Sequence, residues 1–358
     1  MTIRNLQIAL FSLFLTGCLQ AQDGVAAADP APGKFPLDVA GYLSFRALNG
    51  DDFAKREYYR EYAGSIFVSK NAGRWLFHSE FNVNSALEYD TEGIHIAPRI
   101  PHLSVKLQNA FVNYNWQDWL QAEAGYLFVP TYWRTHRYQS TNLTVDEPLI
   151  DQVVFPGVFK GVMLHGDKYF ESSGFSYQIY GGLSQEPENF DAEARNLHID
   201  QAWAIGGKLV AHVPSRHFFD SFDIGYHRLE QRFSDWDESL DGAELRLEKG
   251  RARLLGEYAH MLAKPKNGTA EFFRQGMYLQ PSYRLTRQLY AVASYDRLVR
   301  DSRFADESGL GRQSVGLTYR PQPFLSLKVE LDRYEPQRSR LPAYYGVTVG
   351  AVYFFHLR

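Results

Sequence analysis

The sequence predicts a membrane-spanning, closed β-barrel of about sixteen antiparallel strands in simple up-and-down order. Three observations carry this. Apolar and polar residues alternate with period two through most of the chain after residue 37. The joins between alternating segments are short and long by turns, as expected when consecutive connections lie at opposite ends of one sheet. No later stretch holds the run of about 18 apolar residues that a membrane-crossing helix needs.

The alternation is cleanest in FLSLKVELDRY, residues 324–334. Leu325, Leu327, Val329 and Leu331 fall on one face, and Ser326, Lys328, Glu330 and Asp332 on the other. A helix would bring Lys328 and Leu331 to the same side. The pattern recurs in LDGAELRLEKG, where Ala243, Leu245 and Leu247 oppose Glu244, Arg246 and Glu248. It recurs in KGRARLLGEYAH, where Ala252, Leu254 and Tyr258 oppose Arg251, Arg253 and Glu257. In GRWLFHSEFNVN, Trp75, Phe77, Phe81 and Val83 oppose His78, Glu80, Asn82 and Asn84. Residues 106–116 change phase, which predicts a bulge.

Strands are expected near 37–47, 61–70, 74–89, 105–116, 120–130, 159–169, 175–185 and 202–213. The second half adds 221–232, 240–249, 251–262, 271–285, 288–299, 311–320, 324–335 and 344–357. The long joins are 48–60, 90–104, 131–158, 186–201, 263–270, 300–310 and 336–343. Trp75, Trp116, Trp119, Phe219 and Phe324 fall beside short turns. Tyr89, Tyr132, Trp133 and Tyr334 fall near the long joins, so two interfacial aromatic girdles are expected.

Energetics selects the outer face. A Lys or Arg facing lipid near the midplane costs about 2–4 kcal/mol. The Leu/Val/Tyr face therefore looks outward and the charged face inward. The inward set is mixed in sign: Arg46, Lys106, Lys208, Arg246, Arg251, Arg253, Arg320 and Lys328 against Glu80, Glu123, Glu244, Glu248, Glu257, Asp296, Glu330 and Asp332. These read as a lumen wall with internal ion pairs. Neither anion nor cation preference follows from them.

The 358 residues carry a formal net charge of -3, which gives no footprint for nucleic acid. The single cysteine excludes an internal disulfide. Residues 1–21 read as an export signal, with Arg4 before the apolar run LQIALFSLFL. Leu15-Thr16-Gly17-Cys18 resembles a bacterial lipobox. That resemblance implies cleavage before Cys18 and lipid attachment there. Cleavage after Ala21 or Ala28 is the alternative. An Ala/Pro tether over 22–36 then leads into a barrel domain, 37–358.

The segment GYLFVPTYW, with His136, Glu147-Pro148-Leu149-Ile150, Phe155-Pro156 and Lys160-Gly161-Val162-Met163-Leu164-His165-Gly166, resembles the join between the fifth and sixth strands of Gram-negative porins related to the phosphate-selective class. The resemblance implies an outer-membrane channel for small hydrophilic solutes, with a periplasmic N-terminus and contacts to lipid and lipopolysaccharide. It implies a homotrimer as a candidate assembly. It also implies that the third outer loop, 131–158, folds into the lumen and narrows it. On that reading Arg134, His136, Arg137, Asp146, Glu147 and Asp151 form the constriction, with the basic cluster as one wall. The rival placement is an outward loop against lipopolysaccharide. No arginine ladder specific for phosphate is visible, and the chain ends on His356-Leu357-Arg358 rather than an aromatic residue.

No metal site or cofactor is expected. The 11 histidines form no metal-spaced pair on one strand face. No nucleophile elbow or phosphate-binding glycine loop occurs. Two other functions stay open: a non-conducting structural or adhesin barrel using 48–60 and 300–310, and a barrel enzyme using a rim pair such as His136 and Ser140.

Overall fold

The structure is a computed structural model. It describes residues 37–52, 55–90, 102–133, 142–155, 157–170, 173–184, 202–213, 218–234, 236–266, 271–300, 309–336 and 343–357. The export segment, Cys18 and the tether lie outside the described residues, as do Arg134, His136 and Arg137.

Sixteen strands form one ring. They are β1 (Asp38–Asp52), β2 (Lys55–Ala72), β3 (Trp75–Asp90), β4 (His102–Gln117), β5 (Leu120–Phe128), β6 (Val158–Phe170), β7 (Ser173–Ser184) and β8 (Ala202–Val213). There follow β9 (Ser221–Arg232), β10 (Trp236–Lys249), β11 (Ala252–Pro265), β12 (Phe272–Arg284), β13 (Leu289–Arg300), β14 (Gly309–Gln322), β15 (Leu325–Pro336) and β16 (Tyr344–Leu357). A five-residue helix, α1 (Leu149–Val153), lies between β5 and β6. Each strand pairs with its neighbours in sequence, and β1 closes on β16 from Val39↔Leu357 to Gly50↔Gly346. Closure leaves no edge strand, which a barrel in lipid requires.

The faces follow the alternation. On β15, Leu327, Val329 and Leu331 are 39–55% exposed, whereas Ser326, Lys328, Glu330 and Asp332 are buried inside. The phase change in β4 is a bulge: Glu80 pairs with Asn109 but Phe81 pairs with Leu107, leaving Gln108 over. The outer face is not apolar throughout. On β9 and β10, Arg228 faces outward with Asp241 at 3.1 Å and Glu230 at 2.9 Å.

Three expectations need correction. The join 48–60 is mostly strand: β1 and β2 stay paired to Asp52↔Lys55. The polar sequence there predicts a loop, but backbone pairing does not require an apolar face. Tyr132 and Trp133 belong to no girdle, being 7% and 2% exposed inside the barrel. Tyr334 also points inward, to Asp146. The interior is also less polar than expected. Met163, Tyr180, Leu229, Leu240, Leu255, Met261 and Leu298 join Tyr132, Trp133, Ile150, Val154 and Phe155 in one buried cluster within the ring.

Spin labels at Leu327 and Val329 should show high collision rates with oxygen dissolved in bilayer. Labels at Arg246 and Glu248, inward and about one-third exposed, should respond to a water-soluble relaxant. The opposite pattern would overturn the register.

Candidate functional site

Adjacent strands place opposed residues on the same face, so the pairing builds rows across the inner wall. One row runs Glu244, Glu257, Tyr278, Asp296, Arg312, Tyr334 from β10 to β15. Another contains Thr318 and Lys328, and Glu330 and Thr348 stand opposite each other in a third. These rows meet the segment between β5 and β6.

That segment leaves the wall at Val129-Pro130. Proline has no N–H to offer a ladder, so the strand ends. Thr131, Tyr132 and Trp133 are buried at once. The Tyr132 N–H donates to Glu257 Oε1 at 3.0 Å. Trp133 meets Tyr278 edge-on, with ring centroids 6.2 Å apart. Burial pushes the Tyr132 phenol up to about 12, so it stays neutral.

From Asn142 the chain bends its way along β14, β15 and neighbouring strands. It has no sheet partner, so wall side chains take its backbone groups. Arg320 donates to the Asn142 carbonyl at 3.1 Å, and Thr318 donates to that of Leu143. Lys328 donates to the Thr144 carbonyl at 2.8 Å. Glu330 accepts from Val145 N–H at 2.7 Å and Asp146 N–H at 3.2 Å. Cationic and hydroxyl groups meet carbonyls, and carboxylates meet N–H groups. Each bond removed from such buried backbone costs about 1–3 kcal/mol.

Asp146 then turns into the wall. Its carboxylate lies 2.9 Å from Arg46 and 3.5 Å from Arg312, and Tyr334 donates to it at 3.3 Å. Arg312 also donates to the Glu147 carbonyl at 2.7 Å and to Asp296 at 3.1 and 3.2 Å. Asp296 accepts the Leu149 N–H at 3.2 Å as α1 begins. Ile150 is fully buried against Gly276, where an added Cβ would stand 3.1 Å from it. Asp151 is 4% exposed in the first turn of α1.

The sequence-derived residues therefore separate into groups. Asp146, Glu147, Glu257, Lys328 and Glu330 meet at the seat of the segment. Lys328 and Glu330 do not simply line water, as the alternation alone suggested; they are 4% and 2% exposed beneath the loop. Asp146 is paired with two wall arginines, Arg46 and Arg312. Toward the short-turn end, Arg246 pairs with Glu248 at 2.9 Å and with Asp223 at 3.8 Å. Arg253 lies beside them, opposite Glu248. Arg251 is no wall residue: it lies in the turn before β11 and donates to the Leu285 carbonyl at 3.5 Å. Gly250, with φ 58°, makes that turn and shifts the start of the strand to Ala252. Glu80 stands apart on β3, fully buried, with Asn109 at 3.5 Å.

Arg46, Asp296, Arg312 and Thr318 hold the segment as firmly as the residues singled out for it. The sequence marks Asp296 and Arg46 only as wall charges and gives Arg312 and Thr318 no distinction. A linear reading shows no loop partner opposite them.

No protein-family model matches the chain, and no curated protein matches its sequence. Solved structures do match in shape. The anion-selective porin from Comamonas acidovorans superposes with a TM-score of 0.59 at 11% identity, over 90% of this chain and 100% of that one. Salmonella typhi OmpF, in complex with daunomycin, gives 0.56 at 11% identity, over 90% and 98%. The outer membrane channel DcaP of Acinetobacter baumannii gives 0.53 at 10% identity, over 92% and 100%. At these identities the likeness establishes the fold: a closed, sixteen-stranded, all-antiparallel β-barrel.

Proposed function

We propose that this chain is an outer-membrane porin, a water-filled channel for passive diffusion of small hydrophilic solutes or ions. One observation carries the reading most directly. The β5–β6 segment is pinned to inward-facing side chains of β11 to β15 by its own backbone. A segment held there reduces the cross-section that solutes share, and charge at such a narrowing sets ion preference. The long-loop end then faces the cell exterior and the N-terminus the periplasm. Lipid and lipopolysaccharide surround the outer face, and a homotrimer is the expected assembly.

In this reading Asp146 is paired with the wall, and Arg134, His136 and Arg137 form a basic wall of the constriction set against Glu147 and Asp151. Planar-bilayer recording tests both levels. The purified barrel should give discrete conductance steps. Arg134→Glu with Arg137→Glu should move the zero-current potential in a salt gradient toward cations. A barrel that inserts but never conducts would favour a structural or adhesin role. Unchanged selectivity in the double variant would remove the basic cluster from the constriction.

A further inference from the structure

Behind the seated loop, three strands bring three metal-binding side chains to one point. His227 comes from β9, Glu244 from β10 and Glu257 from β11. One ligand atom of each lies within 4.8 Å of the others. Glu244 and Glu257 are directly opposed across the β10–β11 ladder. All three are inside the ring and 2–6% exposed.

The wall makes room for this convergence. His227 stands opposite Gly242, and Glu244 stands opposite Gly225. A Cβ on Gly242 would fall 2.0 Å from His227 Nε2, and one on Gly225 would fall 2.5 Å from Glu244 Cγ. The imidazole and the carboxylate therefore each lie across a neighbouring strand where no side chain intervenes. Phe155 of the loop covers the imidazole, with ring centroids 5.2 Å apart.

The polar accounting is incomplete without a further group. Both ring nitrogens of His227 are buried without a hydrogen-bond partner. Glu257 Oε1 accepts the Tyr132 N–H, but Oε2 is buried and unpartnered. Lys208 Nζ stands 2.6 Å from Glu244 and balances one carboxylate. Tyr278, opposite Glu257 in register, also keeps its hydroxyl buried and unpartnered. A neutral imidazole always has one nitrogen lone pair to offer a metal. One nitrogen and two carboxylate oxygens form a borderline donor set that suits a first-row divalent ion better than calcium.

We propose that His227, Glu244 and Glu257 bind a divalent transition-metal ion, with zinc the best-matched probe. The fourth position falls to water or the Tyr278 hydroxyl. Through Glu257 the ion would brace the carboxylate that accepts the Tyr132 N–H, and so the root of the loop. The ion is structural in this assignment and takes part in no reaction. The site does not depend on whether the barrel conducts.

The test uses the full chain refolded with and without zinc, then freed of excess ion by gel filtration. Metal content is measured by atomic emission on folded barrel, identified by its gel mobility before heating. About one zinc per wild-type chain is expected, with affinity falling more than about 100-fold in His227→Ala. Glu257→Gln, nearly the same shape, should show the same loss and carries the test if His227→Ala does not fold. Zinc should also raise the melting temperature of the wild type and not of the variants. A folded wild type that retains no zinc overturns the site. So does a folded Glu257→Gln barrel with wild-type zinc content.

Discussion

A barrel in which residues 131–155 are replaced by Gly-Ser-Gly should conduct at least about twofold more per channel than the parent. The replacement is geometrically mild. β5 and β6 are hydrogen-bonded neighbours, and beyond them Val129 N–H still reaches the Gly157 carbonyl at 3.4 Å. A short turn can therefore join them, and the ring of backbone ladders does not pass through the loop. What disappears is the material inside the ring. Leu229, Leu255, Tyr278 and Leu298 lose their apolar cover and meet water, so stability should fall as conductance rises. Single-channel steps of unchanged size, from a barrel shown to be folded, would place the solute path elsewhere and leave the loop as packing alone.

The fold was readable because it rests on one short-range signal repeated many times. Period-two alternation and the parity of joins fix strand number and facing, and three expected strands match in both bounds: 202–213, 221–232 and 344–357. The loop's seat was not readable in the same way. A plugged wall has a different signature from an open one. In β11, Leu254 and Leu255 are adjacent apolar residues, and so are Met261 and Leu262. Leu254 lies on the outer face and Leu255 joins the apolar cluster inside the ring, so both faces carry apolar side chains. Such doublets look like slips of phase until something is known to lie inside the ring. The charges misled for a related reason. Lys328 and Glu330 obey the alternation, but the loop segment then consumes them as backbone partners. The His227 group was invisible to a search along single strands, because its three members come one from each of three strands.

Arg312 is the position where one substitution should do most to free the loop. Its guanidinium is 4% exposed and meets Asp296, Asp146 and the Glu147 carbonyl. Arg312→Met leaves Asp296, itself 1% exposed, without that cation. Removing one member of a buried ion pair costs about 3–5 kcal/mol, because the remaining charge stays desolvated. The barrel ladder does not run through this side chain, so the cost falls mainly on the seated state of the loop. At 1.4 kcal/mol per tenfold, that shifts the seated-to-released ratio by roughly 10²–10³ or more. Conductance should move toward the value of the loop-deleted barrel, and added protease should cut within 131–158. Asp296→Asn in the Arg312→Met background removes the stranded charge yet keeps an acceptor for the Leu149 N–H. That double variant should recover a measurable part of the loss in both readouts. An Arg312→Met barrel with parental conductance and protease resistance would mean that Arg46 and Glu330 hold the segment without it.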